Sequence, residues 1–246
     1  SMSLPTAGSS NNKNLLPLTQ YYDLLSQHLS QVRGVTGLTD PQTNAYKTLE
    51  WMAFEDGAVQ QLLQPVTATG RGTGSSTTLN VPAVEQRVAI AMFYFATAGA
   101  EFWNTDWLLP GKHECTLDGI TCNADQQIIY MELFERSLLG TLPSEMAWLS
   151  QLQHLDVHQN RLYGTLPLEF FQQMTNLITL DVSFNSITGT LPSDWSALVN
   201  LQDFAAPLNS LQGSLPLQLP LSLKHFSMDG NQLQGTIPWD AWNEYR

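Results

Sequence analysis

The carboxyl-terminal half of the chain, residues 128–246, consists of five consecutive copies of one sequence repeat. The units start at Ile128, Leu152, Leu177, Leu201 and Leu223. Successive starts are 24, 25, 24 and 22 residues apart, and every unit has apolar residues at positions 1, 4, 6 and 11, Gly at 13 and Pro at 16. Positions 4 and 6 alternate with more polar residues, as in a short strand that buries one face. No unit can bury that face alone, so the units must stack into a solenoid whose strands form a parallel sheet.

Three further columns of the repeat predict its turns. Asn stands at position 9 in four units, while the first unit has Arg136 there. These asparagines are Asn160, Asn185, Asn209 and Asn231. We expect their amides to satisfy backbone groups that an inward turn leaves unpaired. Gly at position 13 marks a bend where a Cβ atom would crowd the next coil, and Pro at position 16 ends the second extended segment because it has no N–H to donate.

A period in the twenties with this spelling is the signature of the leucine-rich repeat. The endings LxGTLP and LxGTIP resemble the plant-specific class, and CTLDGITC at residues 115–122 resembles the CxWxGVxC cap of plant receptor-kinase ectodomains, with Leu117 in place of Trp. Upstream, DPQTNAYKTLEWMAFED and VEQRVAIAMFYFATAGAEFW resemble the helical region of diatom leucine-rich repeat receptor-like proteins. The resemblance implies an α/β fold, a right-handed solenoid with a parallel β-sheet preceded by helices and a disulfide-bearing cap. It also implies an extracellular domain that binds a ligand or a co-receptor.

The amino-terminal half is predicted to be a short tail followed by helices. Residues 1–14 are small and polar, so residues 1–16 are predicted to be a disordered tail, and residues 17–127 are predicted to form the helical region and the cap. The apolar spacing predicts helices from about Pro17 to Val32, from the Asp40-Pro41 pair to Gly57, and from about Pro82 to Ala98. Residues 66–80 are rich in Gly, Ser and Thr and predict a flexible loop, without the spelling of a phosphate-binding loop.

The two ends of the solenoid need covers, because a stacked array exposes its apolar interior there. Cys115 and Cys122 are the only cysteines. We expect them to form one disulfide that staples the amino-terminal cap in an oxidising compartment, since two cysteines are too few for a structural zinc site. At the other end, we expect Trp239, Trp242 and Tyr245 to cover the last coil.

Positions 3, 5 and 7 of each unit point out of the sheet and define its candidate binding face. The candidate residues, with one from position 8, are Tyr130, Glu132, Phe134, His154, Asp156, His158, Asp181, Phe184, Asp203, His225 and Asp229. Adjacent strands lie about 4.8 Å apart, so Glu132, Asp156 and Asp181 should form a ladder of carboxylates. Histidines beside them should hold their protons more readily than free imidazole, and partner binding should change between about pH 5 and pH 7.

Three other interpretations of these columns stay open. Asp at position 5 and Ser at position 7 are also the common LDVS spelling, in which each side chain is solvated and inert. One histidine together with Asp156 could share a metal ion, although we assign no metal and no cofactor. On the second extended segment, a column of hydroxyls could match a crystalline surface, as in ice-binding solenoids, or could simply bond nearby backbone. These residues are Thr141, Thr165, Thr190, Ser214 and Thr236.

Composition restricts the partners. The 246 residues carry a net charge of −12, so nucleic acid and anionic membrane surfaces are disfavoured as partners. There is no apolar run of 18 residues, and no membrane insertion by this segment is expected. Ser1-Met2 resembles the remnant of a cleaved tag, so we expect any native signal peptide or anchor to lie outside this sequence.

These observations predict a protein- or peptide-recognition module outside the cell, the ectodomain of a receptor-like protein, and a monomer on its own. The alternatives are a secreted inhibitor or adhesion protein and an ice-binding solenoid. Catalysis is not expected, because no elbow, HExxH or nucleotide-loop motif is present and an open sheet excludes no water.

Overall fold

The computed structural model describes residues 18–55, 80–102, 106–109 and 111–242. The predicted tail, residues 66–79 of the predicted loop, and Tyr245 lie outside the described residues. The strands are β1 Ile120–Cys122, β2 Ile128–Glu132, β3 Leu139–Gly140, β4 His154–Asp156, β5 Arg161–Thr165, β6 Thr179–Asp181, β7 Ser186–Thr190, β8 Asp203–Ala205, β9 Ser210–Gly213, β10 His225–Ser227 and β11 Gln232–Leu233. The helices are α1 Leu18–Gln27, α2 Asn44–Glu50, α3 Val81–Ala96, α4 Gly99–Phe102 and α5 Leu168–Gln173.

Each repeat contributes one strand to each of two sheets, which confirms the solenoid. The first sheet has the order β1-β2-β4-β6-β8-β10, and the second has the order β11-β9-β7-β5-β3. All pairs are parallel except β1 with β2, because β1 comes from the cap and not from a repeat. We call the outer surface of the first sheet the concave face.

The solenoid core is continuous from coil to coil. Its apolar residues at positions 1, 4 and 11 are almost fully buried in the first four units, as the repeat pattern predicts, whereas those of the fifth unit are partly buried. A row of aromatic rings joins the last coils, with ring centroids 4.8 Å apart for Phe171 and Trp195, 4.7 Å for Trp195 and Phe204, and 5.7 Å for Phe204 and Phe226. Trp242 packs edge-on against Phe226, and its Nε1 donates to the Pro216 carbonyl over 3.1 Å. Trp242 thus covers the last coil as expected.

Trp239 does not share that role. Its side chain is 61% exposed, so the expectation that it covers the last coil is wrong. The reason is local: the chain turns back after Pro238, and this turn brings Trp242 rather than Trp239 over the end of the core.

The asparagine column makes the predicted turn contacts. In Asn185, Nδ2 donates to the carbonyls of Val157, Val182 and Ser183 over 3.0–3.1 Å, and Oδ1 accepts from the Leu162 amide over 2.9 Å. Each side chain therefore ties its own turn to the preceding coil. Arg136, which replaces Asn in the first unit, instead forms an ion pair of 2.6 Å with Asp118 of the cap.

The glycine column allows close stacking at positive φ. A Cβ atom on Gly189 would lie 2.6 Å from Cγ2 of Thr165, and one on Gly164 would lie 2.9 Å from Cγ2 of Thr141. The crowding is therefore against the preceding coil, and not against the next one as predicted, because each Thr at position 14 leans over the glycine of the coil that follows it.

The helical region packs against the solenoid through α3, which belongs to two cores at once. Eleven of its 16 residues are buried. Ile90 and Phe93 pack into the solenoid core, while Val88 and Met92 pack into a second core with α1 and α2. Backbone hydrogen bonds continue this contact, from the Leu139 amide to the Thr97 carbonyl and from the Thr141 amide to the Ala96 carbonyl. Helix α3 therefore covers the amino-terminal end of the solenoid.

Two predicted helix limits need correction. The second helix begins at Asn44, because the Thr43 hydroxyl accepts from the Tyr46 amide over 3.1 Å and caps it, whereas the Asp40 carboxylate caps only a turn. The third helix ends at Ala96, where the chain leaves to meet the first coil. Both α1 and α2 continue into single π-helical turns, His28–Val32 and Trp51–Glu55.

The predicted disulfide is present. Cys115 and Cys122 are bonded, with Cα atoms 5.5 Å apart, and they close the cap beside β1. The cap is joined to the first coil by the Glu132 amide, which donates to the Gly119 carbonyl over 2.8 Å. Among the described residues, none of the helices is long and apolar enough to cross a membrane.

Candidate functional site: the concave face

The strand register places the candidate residues in the predicted columns. Residues at position 3 are paired in the order Tyr130, His154, Thr179, Asp203 and His225. Residues at position 5 are paired in the order Glu132, Asp156, Asp181, Ala205 and Ser227. Glu132, Asp156 and Asp181 therefore form the expected row across three neighbouring strands. Because like charges on adjacent strands repel, this row favours a cationic or hydrogen-bond-donating partner.

Two histidines stack on aromatic rings of the preceding coil. The rings of Tyr130 and His154 have centroids 4.3 Å apart and planes within 7°. The rings of Phe134 and His158 have centroids 5.1 Å apart and planes within 10°. These parallel stacks fix both imidazoles, and they leave the Phe134 ring 46% exposed at the edge of the sheet.

The aspartates of position 5 also serve the backbone. Oδ1 of Asp156 accepts from the His158 amide over 3.1 Å and lies 2.6 Å from Nδ1 of that ring. Oδ1 of Asp181 accepts from the Ser183 amide over 2.9 Å and from its hydroxyl. Each aspartate thus closes the turn at the end of its own strand. These hydrogen bonds support a structural role for the aspartate of the LDVS sequence. Both carboxylates nevertheless remain partly exposed.

The row brings three possible cation ligands together. One ligand atom each from Asp156, His158 and Asp181 lies within 4.8 Å of the others. The hydrogen bond between His158 and Asp156 accounts for this arrangement without an ion, and we assign no metal to it.

The predicted upward shift of the histidine pKa values is wrong for His154. Burial lowers the pKa of His154 below its ordinary value, and this outweighs the opposite effect of Glu132 and Asp203. The stacked Tyr130 ring explains the burial, because it removes water from one face of the imidazole and disfavours the charged form.

An apolar edge runs along the end of the strands. Phe134, Phe184 and Leu208 expose 46%, 49% and 47% of their surface there. Phe184 and Leu208 stand at position 8 with φ of 54° and 53°, in the left-handed region that bulky residues rarely adopt. Leu208 is not among the candidate residues chosen from the sequence, although it stands at position 8 of the fourth unit, directly before Asn209, as Phe184 stands directly before Asn185.

The remaining candidates lie apart from this group. His225 and Asp203 contact each other through Nδ1 and Oδ1 on the last two strands. Asp229 accepts a hydrogen bond from the Ser227 hydroxyl over 3.1 Å in the last coil. Thr179 and Ala205 stand between them and the carboxylate row. The concave face therefore has two polar groups with the apolar edge alongside.

Comparison with known proteins finds similarity to proteins with leucine-rich repeats. Residues 151–174 and 176–198 match the family model described as Leucine Rich Repeat. The chain is 32% identical over 79 residues to the inactive LRR receptor-like serine/threonine-protein kinase BIR2 of Arabidopsis thaliana, a match that covers 31% of this chain and 13% of BIR2. It is 35% identical over 73 residues to phytosulfokine receptor 1 of Arabidopsis thaliana, covering 29% and 7% of the two chains. Each of these matches covers less than a third of this chain and a small part of the relative, and together with the observed sheets they show a leucine-rich repeat fold.

Solved structures share this leucine-rich repeat fold. A chain of the BIR3–SERK2 complex from Arabidopsis thaliana matches with a TM-score of 0.52 and 28% identity, over 59% of this chain and 81% of that chain. A plant ice-binding protein matches with a TM-score of 0.58 and 25% identity, over 65% of this chain and 52% of that chain. The resemblance to diatom receptor-like proteins stays a prediction.

Proposed function

We propose that this leucine-rich repeat domain is the extracellular, ligand-recognising part of a receptor-like protein, and that its concave face binds a protein or peptide. The observation that carries the proposal is the open face of the first three coils. There, two fixed aromatic–histidine stacks lie beside a row of carboxylates and an exposed apolar edge. Rigid aromatic anchors next to polar groups are the surface chemistry in which binding energy is concentrated in protein interfaces.

The relatives support the receptor-like part of the proposal. The two Arabidopsis relatives are a receptor-like kinase and a phytosulfokine receptor, and one matching structure is a complex of two proteins. The disulfide of the cap fits an oxidising, extracellular compartment. A protein or peptide ligand, or a co-receptor, is therefore the proposed partner, and the isolated domain is proposed to be a monomer.

The chemistry of the face defines the ligand further. The carboxylate row within a chain of net charge −12 favours a ligand with Lys or Arg side chains. Phe134, Phe184 and Leu208 lie along the row and offer apolar contacts to the same ligand. We propose that an extended segment places basic residues on the row and apolar residues on the edge.

We assign no reaction to this face. Ser183, the one hydroxyl beside the carboxylate row that could act with His154 and Asp156, is 4% exposed and donates its hydrogen bond to Asp181. A nucleophile needs a free approach to substrate, and the burial of Ser183 denies it that approach.

Ice binding remains a second candidate because of the match to a plant ice-binding protein. The register of the second sheet weighs against it. Thr165 pairs with Thr188, and Thr190 pairs with Gln212, so each position-14 hydroxyl lies opposite position 12 of the next coil and not opposite the next position-14 hydroxyl. Thermal hysteresis at micromolar protein would revive this candidate, and its absence would remove it. A secreted inhibitor or adhesion protein uses the same recognition chemistry and differs only in what precedes and follows the domain.

Selection from a displayed random-peptide library against the purified domain tests the proposal. We expect enriched peptides to carry basic and apolar residues and to lose at least tenfold in affinity for the triple variant E132A/D156A/D181A. The variant E145A/E169A/D240A removes the same charge elsewhere and should bind unchanged. Peptides that bind both triple variants like the wild type would place recognition off the concave face.

A further inference from the structure

A cavity lies away from the concave face, and none of the candidate residues of that face lines it. Its volume is about 810 Å³, and it separates the start of α3 from the cap and from the 3₁₀ turn Ser144–Trp148 on the convex side of the first coil. Binding pockets for small molecules commonly have volumes of about 300–1,000 Å³ and lie between structural units. We call this cavity the cleft.

The charged groups at the floor of the cleft neutralise one another. Glu85 is 6% exposed and pairs with His28 over 3.1 Å and with Nε of Arg33 over 2.6 Å. Glu114 is 4% exposed and pairs with Nη1 of Arg87 over 3.2 Å. Both carboxylates are therefore committed to cations of the protein, and the floor offers little net charge to a ligand.

The walls of the cleft combine an apolar strip with side-chain amides. The apolar strip is formed by Pro82, Ala83, Ala147, Trp148 and Leu149. The guanidinium of Arg33 lies 5.2 Å from the centre of the Trp148 ring and holds it in place. Amide side chains that line the same cleft include Gln126, Gln127, Gln151 and Gln173, of which Gln127 also accepts a hydrogen bond from Asn123. A carboxamide both donates and accepts hydrogen bonds, so this rim can bind neighbouring hydroxyl groups in either direction.

We propose that the cleft is a binding site for a neutral oligosaccharide. A sugar ring presents hydroxyls at its edge and C–H groups on its faces, which complement the amides and the apolar strip respectively. An anionic ligand is disfavoured, because Arg33 and Arg87 are already paired with Glu85 and Glu114, and Asp125 adds a further negative charge to the lining. A cationic ligand is disfavoured, because Arg33 and Arg87 already occupy the two buried carboxylates.

Gln173 and Gln151 give this proposal a sharp test. Gln173 is exposed at the end of α5 and lines the cleft, whereas its neighbour Gln172 is equally exposed in the same helix and does not line it. The substitution Q173L therefore removes an amide from the cleft, and Q172L is its matched control. Q151L removes a second, half-buried amide of the rim.

Calorimetric titration of the whole chain with maltotriose, cellotriose, mannotriose and tri-N-acetylchitotriose tests the proposal. We expect at least one of them to bind with a dissociation constant below about 1 mM, and Q173L and Q151L each to weaken it about five- to tenfold. Q172L and the concave-face variant E132A/D156A/D181A should bind it like the wild type. Trigalacturonate, an acidic trisaccharide of the same length, should bind more weakly.

Three results would overturn the proposal: no binding by any of the four neutral trisaccharides, equal binding by wild type and by both cleft variants, or stronger binding of trigalacturonate. Because Q173L alters an exposed side chain, loss of binding in that variant cannot be ascribed to unfolding, and an unchanged thermal melt checks this. This test does not depend on whether the concave face binds a ligand. The triple variant E132A/D156A/D181A changes only the concave face, so the two proposals can fail separately.

Discussion

At the scale of single residues, the asparagine column shows how much one side chain can organise. Asn185 satisfies three carbonyls and one amide, and two of these groups belong to the preceding coil. Asn176, the last residue of the preceding unit, donates a hydrogen bond to the Ser150 carbonyl. The first side chain joins two coils from the inside, whereas the second fastens one turn at the surface.

We predict that Asn185→Ala lowers the free energy of unfolding by about 3 kcal/mol, because it removes the side-chain acceptor of the Leu162 amide and one hydrogen bond from each of three carbonyls. Asn176→Ala should cost about 1 kcal/mol, since water can replace the lost bond at the surface. Urea denaturation followed by circular dichroism measures both values. Equal costs for the two variants would show that the inner turn does not depend on its asparagine.

His154 should titrate below free imidazole, because burial beside Tyr130 disfavours its protonated form. The unfolded chain then binds more protons than the folded one as the pH falls through about 6.5, so His154 destabilises the fold at acid pH. We predict that His154→Gln flattens the fall in stability below pH 6.5. Titration by NMR gives the pKa directly, and a His154 pKa above that of free imidazole would contradict this explanation.

These residues also show where prediction from sequence ends. The spacing of the repeats correctly places His154 beside carboxylates, but it does not reveal that a ring from the preceding coil lies flat against it. Whether a histidine is charged depends on that contact as much as on nearby acids. Likewise, the left-handed φ of Phe184 and Leu208, which turns both side chains outward as an apolar edge, follows from the strand end and not from their own preferences.

At the scale of elements, the cap depends on its disulfide. The bond closes a short loop, which in the chain-entropy description stabilises the fold by about 2 kcal/mol. We predict that full reduction lowers the melting temperature and speeds hydrogen exchange of the Glu132 amide, which is bonded to the cap. The Ala206 amide of the fourth coil, which donates to the Ser227 carbonyl of the fifth, should exchange at its original rate. An unchanged melting temperature after verified reduction would argue against a structural role.

The contact between α3 and the first coil leaves no room for a side chain at Gly140. A Cβ atom there would lie 1.9 Å from the Ala96 carbonyl oxygen, whereas one on Gly235 meets nothing closer than 3.8 Å. Both glycines have positive φ, so the comparison separates crowding from backbone strain. We predict that Gly140→Ala costs at least about 2 kcal/mol more than Gly235→Ala in chemical denaturation. Similar losses for both would mean that α3 can move aside.

The strands and the helices differ in how well the sequence predicts their bounds and their packing. Five copies of one pattern fix the strands and their register, because every copy must bury the same face. The double role of α3 could not be predicted. Apolar residues on most sides of a helix predict that it is buried, but they do not indicate which two cores it joins. The start of α2 depends on the Thr43 cap, which competes locally with Asp40.

At the scale of the whole molecule, the solenoid carries two distinct surfaces. The concave face is acidic and open, with exposed aromatic rings along its edge. The cleft behind it has internally paired charges and an amide rim. They lie on opposite sides of the first coils, so a ligand on one does not occupy the other. This arrangement is what allows the concave-face and cleft variants to be interpreted independently.

The most direct test of recognition by the concave face is oxidative footprinting of the domain with a peptide selected for binding. Phe134, Phe184, Tyr163 and Trp239 are comparably exposed in the free protein, at 46%, 49%, 51% and 61%. Only the first two stand on the concave side, since Tyr163 lies in β5 and Trp239 after the last repeat. We predict that bound peptide protects Phe134 and Phe184 and leaves Tyr163 and Trp239 reactive. Protection of Tyr163 or Trp239, with Phe134 and Phe184 unchanged, would contradict the account.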